Sequence, residues 1–351
     1  MNLLPYEVAT LSDSYGFGTT GAGWTATAEL LVLAFTAAWL GPTIARRDKR
    51  ALTVAGVLVS STGAVASILA QEGILVVSSR LTVGLGCGMI AAATSALPTL
   101  HRRPKRVFGY MQVTLGIQFG FANYAMGLAA PLGRERLFVV ELAFLALLGT
   151  LAMLLPRGVM KVSPRAAGAI VDSGMSKPVL ACIASLVLLW ASIEASWSFA
   201  EQAATARGLS EQSLILWFTI SGLTGPGGGA IAAALGERYG YVAPLAVGFL
   251  IQMLSAIAMY CVGGYDTYVL GIMLFNAPVA FTTTYLMGLL AALDETGRGA
   301  SMGAAAANFG GAVGPVLGVV ALTIPNLASV GVAAVVLLLI GLILCLWSAQ
   351  T

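Results

Sequence analysis

Six ionisable side chains lie inside or against apolar runs of this chain: Arg80, Glu7, Glu29, Glu141, Glu194 and Glu201. An ionised group held among hydrocarbon costs at least ~2.5–3.5 kcal/mol near the bilayer centre on insertion scales, so each needs a partner or a task. Arg80 falls about seven residues, or ~10 Å of helix, into the run 73–98. Glu7 sits in the short apolar stretch from Leu3 to Leu11, placed to pair with Arg80 and exchange a proton. The plainer alternatives are an arginine that tethers helices through their carbonyls, and a carboxylate wetted at the mouth of the helices. Glu194 and Glu201 are seven residues apart and share a helix face, with Trp197 and Ser198 on or near it. That polar, aromatic stripe is a candidate solute site, although Glu201 also fits an interfacial position. Glu29 and Glu141 read as helix–helix contacts. The amides Gln112, Gln118, Asn123, Asn276 and Asn308, with Tyr285, can bond a solute or bond across helices.

The elements that position these groups follow from composition. The chain has 351 residues, 58% of them hydrophobic and 9% charged, and a mean hydropathy of +0.90. Soluble domains carry about 25% charged residues, and a soluble fold cannot hide this much apolar surface. Lipid can solvate it. A spanning helix needs ~20 apolar residues, and full spans read at 22–45, 51–70, 73–98, 107–131, 136–155, 178–201, 212–235, 241–262, 267–291, 300–323 and 328–347. The fragment Leu3–Leu11 precedes these eleven spans and is too short to cross hydrocarbon as a helix. It is expected to be the last third of a first helix whose beginning is missing from the sequence.

Charge sets the expected orientation. Arg46, Arg47, Lys49, Arg50, Arg102, Arg103, Lys105, Arg106, Arg157, Lys161, Arg165, Lys177, Arg238 and Arg298 all fall on one side. Only Arg134, Arg136 and Arg207 fall on the other. By the positive-inside rule the first set, and the C-terminus with it, faces the cytoplasm.

The chain also repeats itself. Gly16 and Gly208, Ala45-Arg46 and Glu237-Arg238, Gly56 and Gly248, and Arg106 and Arg298 are all separated by 192 residues and occupy equivalent topological positions. A parallel repeat of this kind suits two helical bundles in one orientation. The expected division is an N-terminal bundle over 1–156, a cytoplasmic linker over 157–177 and a C-terminal bundle over 178–351.

Two motifs carry a resemblance. Arg80-Leu-Thr-Val-Gly84-Leu-Gly86-Cys-Gly88 reproduces an R-x-x-x-G-x-G-x-G pattern. Gly41-Pro-Thr-Ile-Ala45-Arg46-Arg47-Asp48-Lys49-Arg50 keeps the glycine and basic residues of a G-x-x-x-D-R-x-G-R-R loop, with Ala45 in the acidic position. Glu237-Arg238-Tyr239-Gly240 fits the D/E-R-x-G core, and Gly310-Gly311-Ala-Val-Gly314-Pro315 follows Asp294-Glu-Thr-Gly297-Arg298. Together these resemble the major facilitator superfamily over essentially the whole chain. The resemblance implies an all-α membrane fold of two six-helix bundles and a secondary transporter working by alternating access. It also implies a gating or proton-coupling role for Arg80 beside Glu7, and a cavity lined by the helix of Glu194. The antiporter signature G-P-x-x-G-G is absent, and Gly116-Ile-Gln-Phe-Gly120-Phe stands in its place. The Gly225-Pro226-Gly227-Gly228-Gly229 run and the Gly310–Pro315 run fit hinges or sliding surfaces, or tight static packing.

Other function classes find less support. The one histidine, His101, lies in a basic loop, and no H-x-x-x-H, Walker or C-x-x-C motif occurs, so no enzyme, cofactor or metal site is expected. Cys87, Cys182, Cys261 and Cys345 read as small buried hydrophobes. The expected partners are a small-molecule substrate, protons or another cation, and the lipid bilayer, with no nucleic acid. The chain is expected to be a monomer in a bacterial inner membrane. The alternative is a non-transporting sensor or an inactive truncated copy.

Overall fold

The computed structural model describes residues 3–40, 43, 47–70, 72–95, 104–155, 176–236, 238–294, 298–324 and 326–350. The expectations attached to Gly41, Arg46 and Glu237, and to nearly all of the 157–177 linker, lie outside the described residues, as do the side chains of Gln112 and Arg298. Every regular element described is helical: α1 (Leu4–Asp13), α2 (Gly18–Leu40), α3 (Lys49–Leu69), α4 (Gly73–Ser95), α5 (Pro104–Leu128), a 3-10 stretch (Ala130–Glu135) and α6 (Arg136–Ala152), then α7 (Lys177–Ser198), α8 (Ala200–Thr205), α9 (Glu211–Leu235), α10 (Val242–Ala256) running into a π turn (Ile257–Cys261), α11 (Tyr265–Met273), α12 (Asn276–Leu293), α13 (Arg298–Ala321) and α14 (Ala328–Gln350). Among the described residues, eight stretches are long and apolar enough to cross a membrane. The protein is therefore a multi-pass helical membrane protein.

Local chemistry sets the helix ends. Asp48 caps α3, its Oδ1 accepting the Ala51 N–H, and Ser210 caps α9 by accepting from Ser213 N–H. The run 267–291 is not one helix. Pro278 has no N–H for the Leu274 carbonyl and its ring crowds that carbonyl, so the chain breaks at Leu274 and Phe275 between α11 and α12. The run 178–201 likewise breaks at Phe199, between α7 and α8.

The surface is apolar and much of the inside is polar. Trp39, Phe35, Ile74 and Leu154 are more than 70% exposed, whereas Arg80, Glu194, Ser185, Asn123 and Gln252 are buried. That inversion is what a lipid solvent selects. Helix α4 packs on α2 and α3, α3 on α6, and α1 on α2. Helix α7 packs on α13 and α14, and α10 on α12 and α14. Between these two sets run the contacts of α5 with α9 and of α2 with α13.

The 192-residue offset recurs in the packing. Gly16 and Gly208 both take left-handed φ values, 71° and 78°, in corresponding turns. Gly56 lies against Ile90 and Gly248 against Thr282, the same pair displaced by 192. Contacts between the two sets obey the same exchange. Gly23 of α2 lies against Val319 of α13, and Gly127 of α5 lies against Ile215 of α9. Exposed Arg47, Lys177 and Arg238 mark one end of the helices, here the basic end. The Gly23–Val319, Gly127–Ile215 and Gly120–Leu223 contacts lie toward the other, far end, and Gly116–Pro226 lies near the midpoint.

The glycine-rich turn of α9 is not uniform. A Cβ on Gly228 would strike the Ala277 backbone of α12, whereas Gly227 and Gly229 face open space. Gly228 thus sets how closely α9 approaches α12. Gly228→Ala is expected to destabilise the purified protein by about 1–3 kcal/mol through overpacking. Gly227→Ala should leave it unchanged or slightly more stable. Thermal unfolding in detergent checks the pair, and equal melting temperatures would contradict this reading.

Candidate functional site

Arg80 is 1% exposed and lies between three carboxyl groups. Its Nε donates to Glu29 Oε2 at 2.7 Å and to Glu7 Oε1 at 3.2 Å. Its Nη2 donates to Glu29 Oε1 and Glu141 Oε1, both at 3.0 Å, and its Nη1 to Glu141 Oε2 at 2.7 Å. The guanidinium fork thus grips Glu29 and Glu141 bidentately, the geometry that gives arginine–carboxylate pairs their strength. The Phe138 ring covers its Cζ at 5.7 Å. Four helices meet here: α1 brings Glu7, α2 Glu29, α4 Arg80 and α6 Glu141. The sequence reading pairs Arg80 with Glu7, and the structure brings them together. It also places Glu29 and Glu141 in the same cluster, where composition and spacing suggested only helix contacts.

The glycines that follow Arg80 make this meeting possible. Gly84 and Gly88, one turn apart, lie against the backbone of α2 at Glu29 and Leu33, where any Cβ would collide. Gly86 faces the other way, against Gly56 and Ser60 of α3. The R-x-x-x-G-x-G-x-G pattern is therefore a device that presses α4 between two helices and delivers Arg80 to Glu29.

The repeat shows what is special about the first half. Displaced by 192, Glu29, Arg80 and Gly84 become Ser221, Ile272 and Asn276. There Ser221 Oγ donates to the Ile272 carbonyl and Asn276 Nδ2 donates to Ser221 Oγ at 2.8 Å. The same helix joint is ionic in one half and neutral in the other. The Asn276 Nδ2 is thereby engaged in a helix tie.

A second group of polar side chains gathers around α7 and α8. Trp197 is 3% exposed and packs against Phe119, Phe218 and Phe275, with ring centroids 5.1, 4.9 and 5.6 Å away. Phe119 belongs to α5, so this cluster bridges the two helix sets. Tyr6 of α1 reaches across as well, edge-on to Phe218 at 5.9 Å. Glu194 is 5% exposed. Its Oε2, Trp197 Nε1, Glu201 Oε2 and Tyr6 Oη are buried atoms without a hydrogen-bond partner. Buried polar groups are nearly always hydrogen-bonded, so four such atoms on neighbouring residues call for an explanation. Nearer the far surface, Arg136 forms an ion pair with Glu211, again joining the two sets.

The remaining expected residues fall in several places. Gly314 lies against Glu194 Cβ and the Ala191 carbonyl, within a Gly310, Gly314, Gly318 stripe that seats α13 on α7. Pro315 is buried within α13. Asn308 is exposed, three turns before Val319 and so on the face that meets α2 farther along. Gln118 is half-buried, and Asn123 bonds the Phe119 carbonyl of its own helix at 2.8 Å. Arg50 donates to Met153 Sδ at 3.1 Å. Gly240 adopts a left-handed φ of 61° in the turn before α10.

The protein is thus a polytopic helical membrane protein with a buried ion cluster on one side and an aromatic–acidic group between its helix sets. Its fold is similar to those of two solved transporter structures. It matches the structure of the human organic anion transporter MFSD10 (TETRAN) with a TM-score of 0.66 at 18% identity, covering 97% of this chain and 89% of that one. It matches the structure of a point mutant of the nucleoside transporter NupG with a TM-score of 0.74 at 14% identity, covering 99% and 96%. No family model matches the sequence, and no curated protein sequence does either.

Proposed function

We propose that this protein is a secondary active transporter of a small molecule, working by alternating access between two six-helix bundles over residues 1–156 and 178–351. In this reading the membrane is a bacterial inner membrane, and the positive-inside rule supports a cytoplasmic placement of the basic end. The contacts between the helix sets at the far end then describe a state closed to the outside. Asn308, exposed and in helical register with the α2-facing side of α13, suits a place in the cytoplasmic half of the cavity. The glycine contacts of α2 with α13 and α5 with α9 are exchanged by the 192-residue repeat, and such paired, small-residue surfaces suit rocking of one bundle on the other.

The observation that carries coupling is the Arg80 cluster. One guanidinium meets three carboxyl groups. It offsets one negative charge, which leaves room for protons or another cation to supply the rest. The network spans α1, α2, α4 and α6, so its occupancy acts on the relative positions of four helices. Glu194, Trp197, Glu201 and Gln118 form the substrate side of the cavity. The organic anion of one structural neighbour does not suit this chain, because the buried cation is already engaged by three carboxylates.

The test is proton movement in proteoliposomes carrying the purified protein and a pH gradient, as candidate solutes are added. Wild-type protein should move protons only with its solute. Glu29→Gln should keep solute exchange down its own gradient and reduce coupled proton flux about tenfold or more. Wild-type coupling in both Glu29→Gln and Glu7→Gln would overturn the coupling role.

A further inference from the structure

Glu194 differs from the three carboxylates around Arg80. Glu7, Glu29 and Glu141 share Arg80. Among the described residues no lysine or arginine forms an ion pair with Glu194, and its Oε2 is buried without a hydrogen-bond partner. Helix α13 meets α7 here through Gly314, which adds no side chain of its own beside Glu194 Cβ. One turn along α7, Trp197 presents its indole to Phe119, Phe218 and Phe275, and its Nε1 also lacks a partner. Buried polar groups without partners are costly, and a carboxylate in a membrane interior is more so. A fold that keeps both together is built to receive something that carries the complement.

We infer that this site binds an organic cation: a positively charged group on Glu194, with an aromatic or aliphatic body against Trp197. The inference rests on the transporter reading and names its substrate class. Charge selects the cation, since Arg80 is engaged by three carboxylates while Glu194 forms no ion pair among the described residues and keeps one oxygen unpartnered. Shape selects an apolar body, since aromatic rings line the side next to it, and an indole face attracts a cation as well. Phe119 belongs to the opposite helix set. When the sets separate at the far end, Phe119 leaves Trp197, and the vacated face becomes the entry for the cation's apolar body.

Two ions of one shape and opposite charge provide the test: tetraphenylphosphonium and tetraphenylborate, titrated against the purified full chain in detergent. The phosphonium should bind and raise the unfolding temperature, and the borate should do so at least tenfold more weakly. Glu194→Gln should weaken phosphonium binding tenfold or more, and Trp197→Ala should weaken it as well. Glu194→Asp retains the charge and should retain most of the binding, which separates a lost site from a misfolded variant. Binding of neither ion, preference for the borate, or unchanged phosphonium affinity in Glu194→Gln would each overturn the inference. Counterflow of labelled phosphonium in proteoliposomes separates the two levels. Binding at Glu194 without carrier-mediated counterflow supports the site and overturns transport, whereas counterflow of an anionic solute without phosphonium binding overturns this site and leaves transport standing.

Discussion

Arg80→Met should remove nearly all folded protein from the membrane fraction, and combining it with Glu29→Gln and Glu141→Gln should bring much of it back. The single change leaves three carboxyl groups in a buried pocket with their shared cation gone. Breaking a buried ion pair from one side costs about 3–5 kcal/mol, a large part of the stability of most folded proteins. The amide pair removes two of the three uncompensated carboxyl groups while keeping their shape and leaves Glu7, so the triple variant should recover much of the fold but not the ion cluster. Arg80→Lys should fall between them, because an ammonium is a point charge and cannot grip Glu29 and Glu141 bidentately at once. Yield from size-exclusion chromatography and thermal unfolding check the series. A single Arg80→Met variant with wild-type yield and melting temperature would show that the cluster does not hold α1, α2, α4 and α6 together.

Gly23→Leu should act on conformation instead of on fold. Gly23 lies against Val319 and Phe199 of the other helix set, where a Cβ already collides. In the proposed alternating-access cycle the clash exists only while the far end is closed. An overpacking penalty of about 1–3 kcal/mol borne by one state alone shifts a two-state ratio about 5- to 150-fold. The variant should therefore favour the state open at the far end. A cysteine at Phe119, which now packs on Trp197 between the sets, should react faster with a membrane-impermeant maleimide in the Gly23→Leu background. Gly127→Leu, against Ile215 in the exchanged contact, should produce the same shift. Unchanged reactivity in both would show that these contacts do not close the far end.

Much of this architecture is legible in the sequence, for physical reasons that can be named. Apolar runs of spanning length mark helices because lipid leaves few other structures possible. Basic loops mark one end, and the offset of 192 survives because each half repeats the same helix contacts. Arg80 declares itself because a charge in such a run is rare and its glycines follow at fixed spacing. Glu29 and Glu141 are harder to read. Each is a lone carboxylate on its own helix, 51 and 61 residues from Arg80 along the chain, and nothing local says that three helices aim their carboxylates at one guanidinium. Their one available signal is the repeat: position 221 holds serine and 272 isoleucine where 29 and 80 carry charge. The break at Leu274 is legible from Pro278, four residues on. The break at Phe199 has no such residue after it and emerges only from packing. Asn276 is equally hard to read. An intramembrane amide invites a substrate role, yet its partner Ser221 lies 55 residues away on α9.

Alternating access is tested most directly by two distances measured together by electron spin resonance in lipid nanodiscs, with the four native cysteines replaced. One label pair, at Thr20 and Asn326, spans the two sets at the far end, and the other, at Arg47 and Lys177, spans them at the basic end; all four positions are exposed. Rocking of two bundles predicts opposed changes: in Gly23→Leu the far-end distance lengthens while the basic-end distance shortens. Distances that stay fixed at both ends, or that lengthen together, would contradict a transporter that opens to one side as it closes to the other.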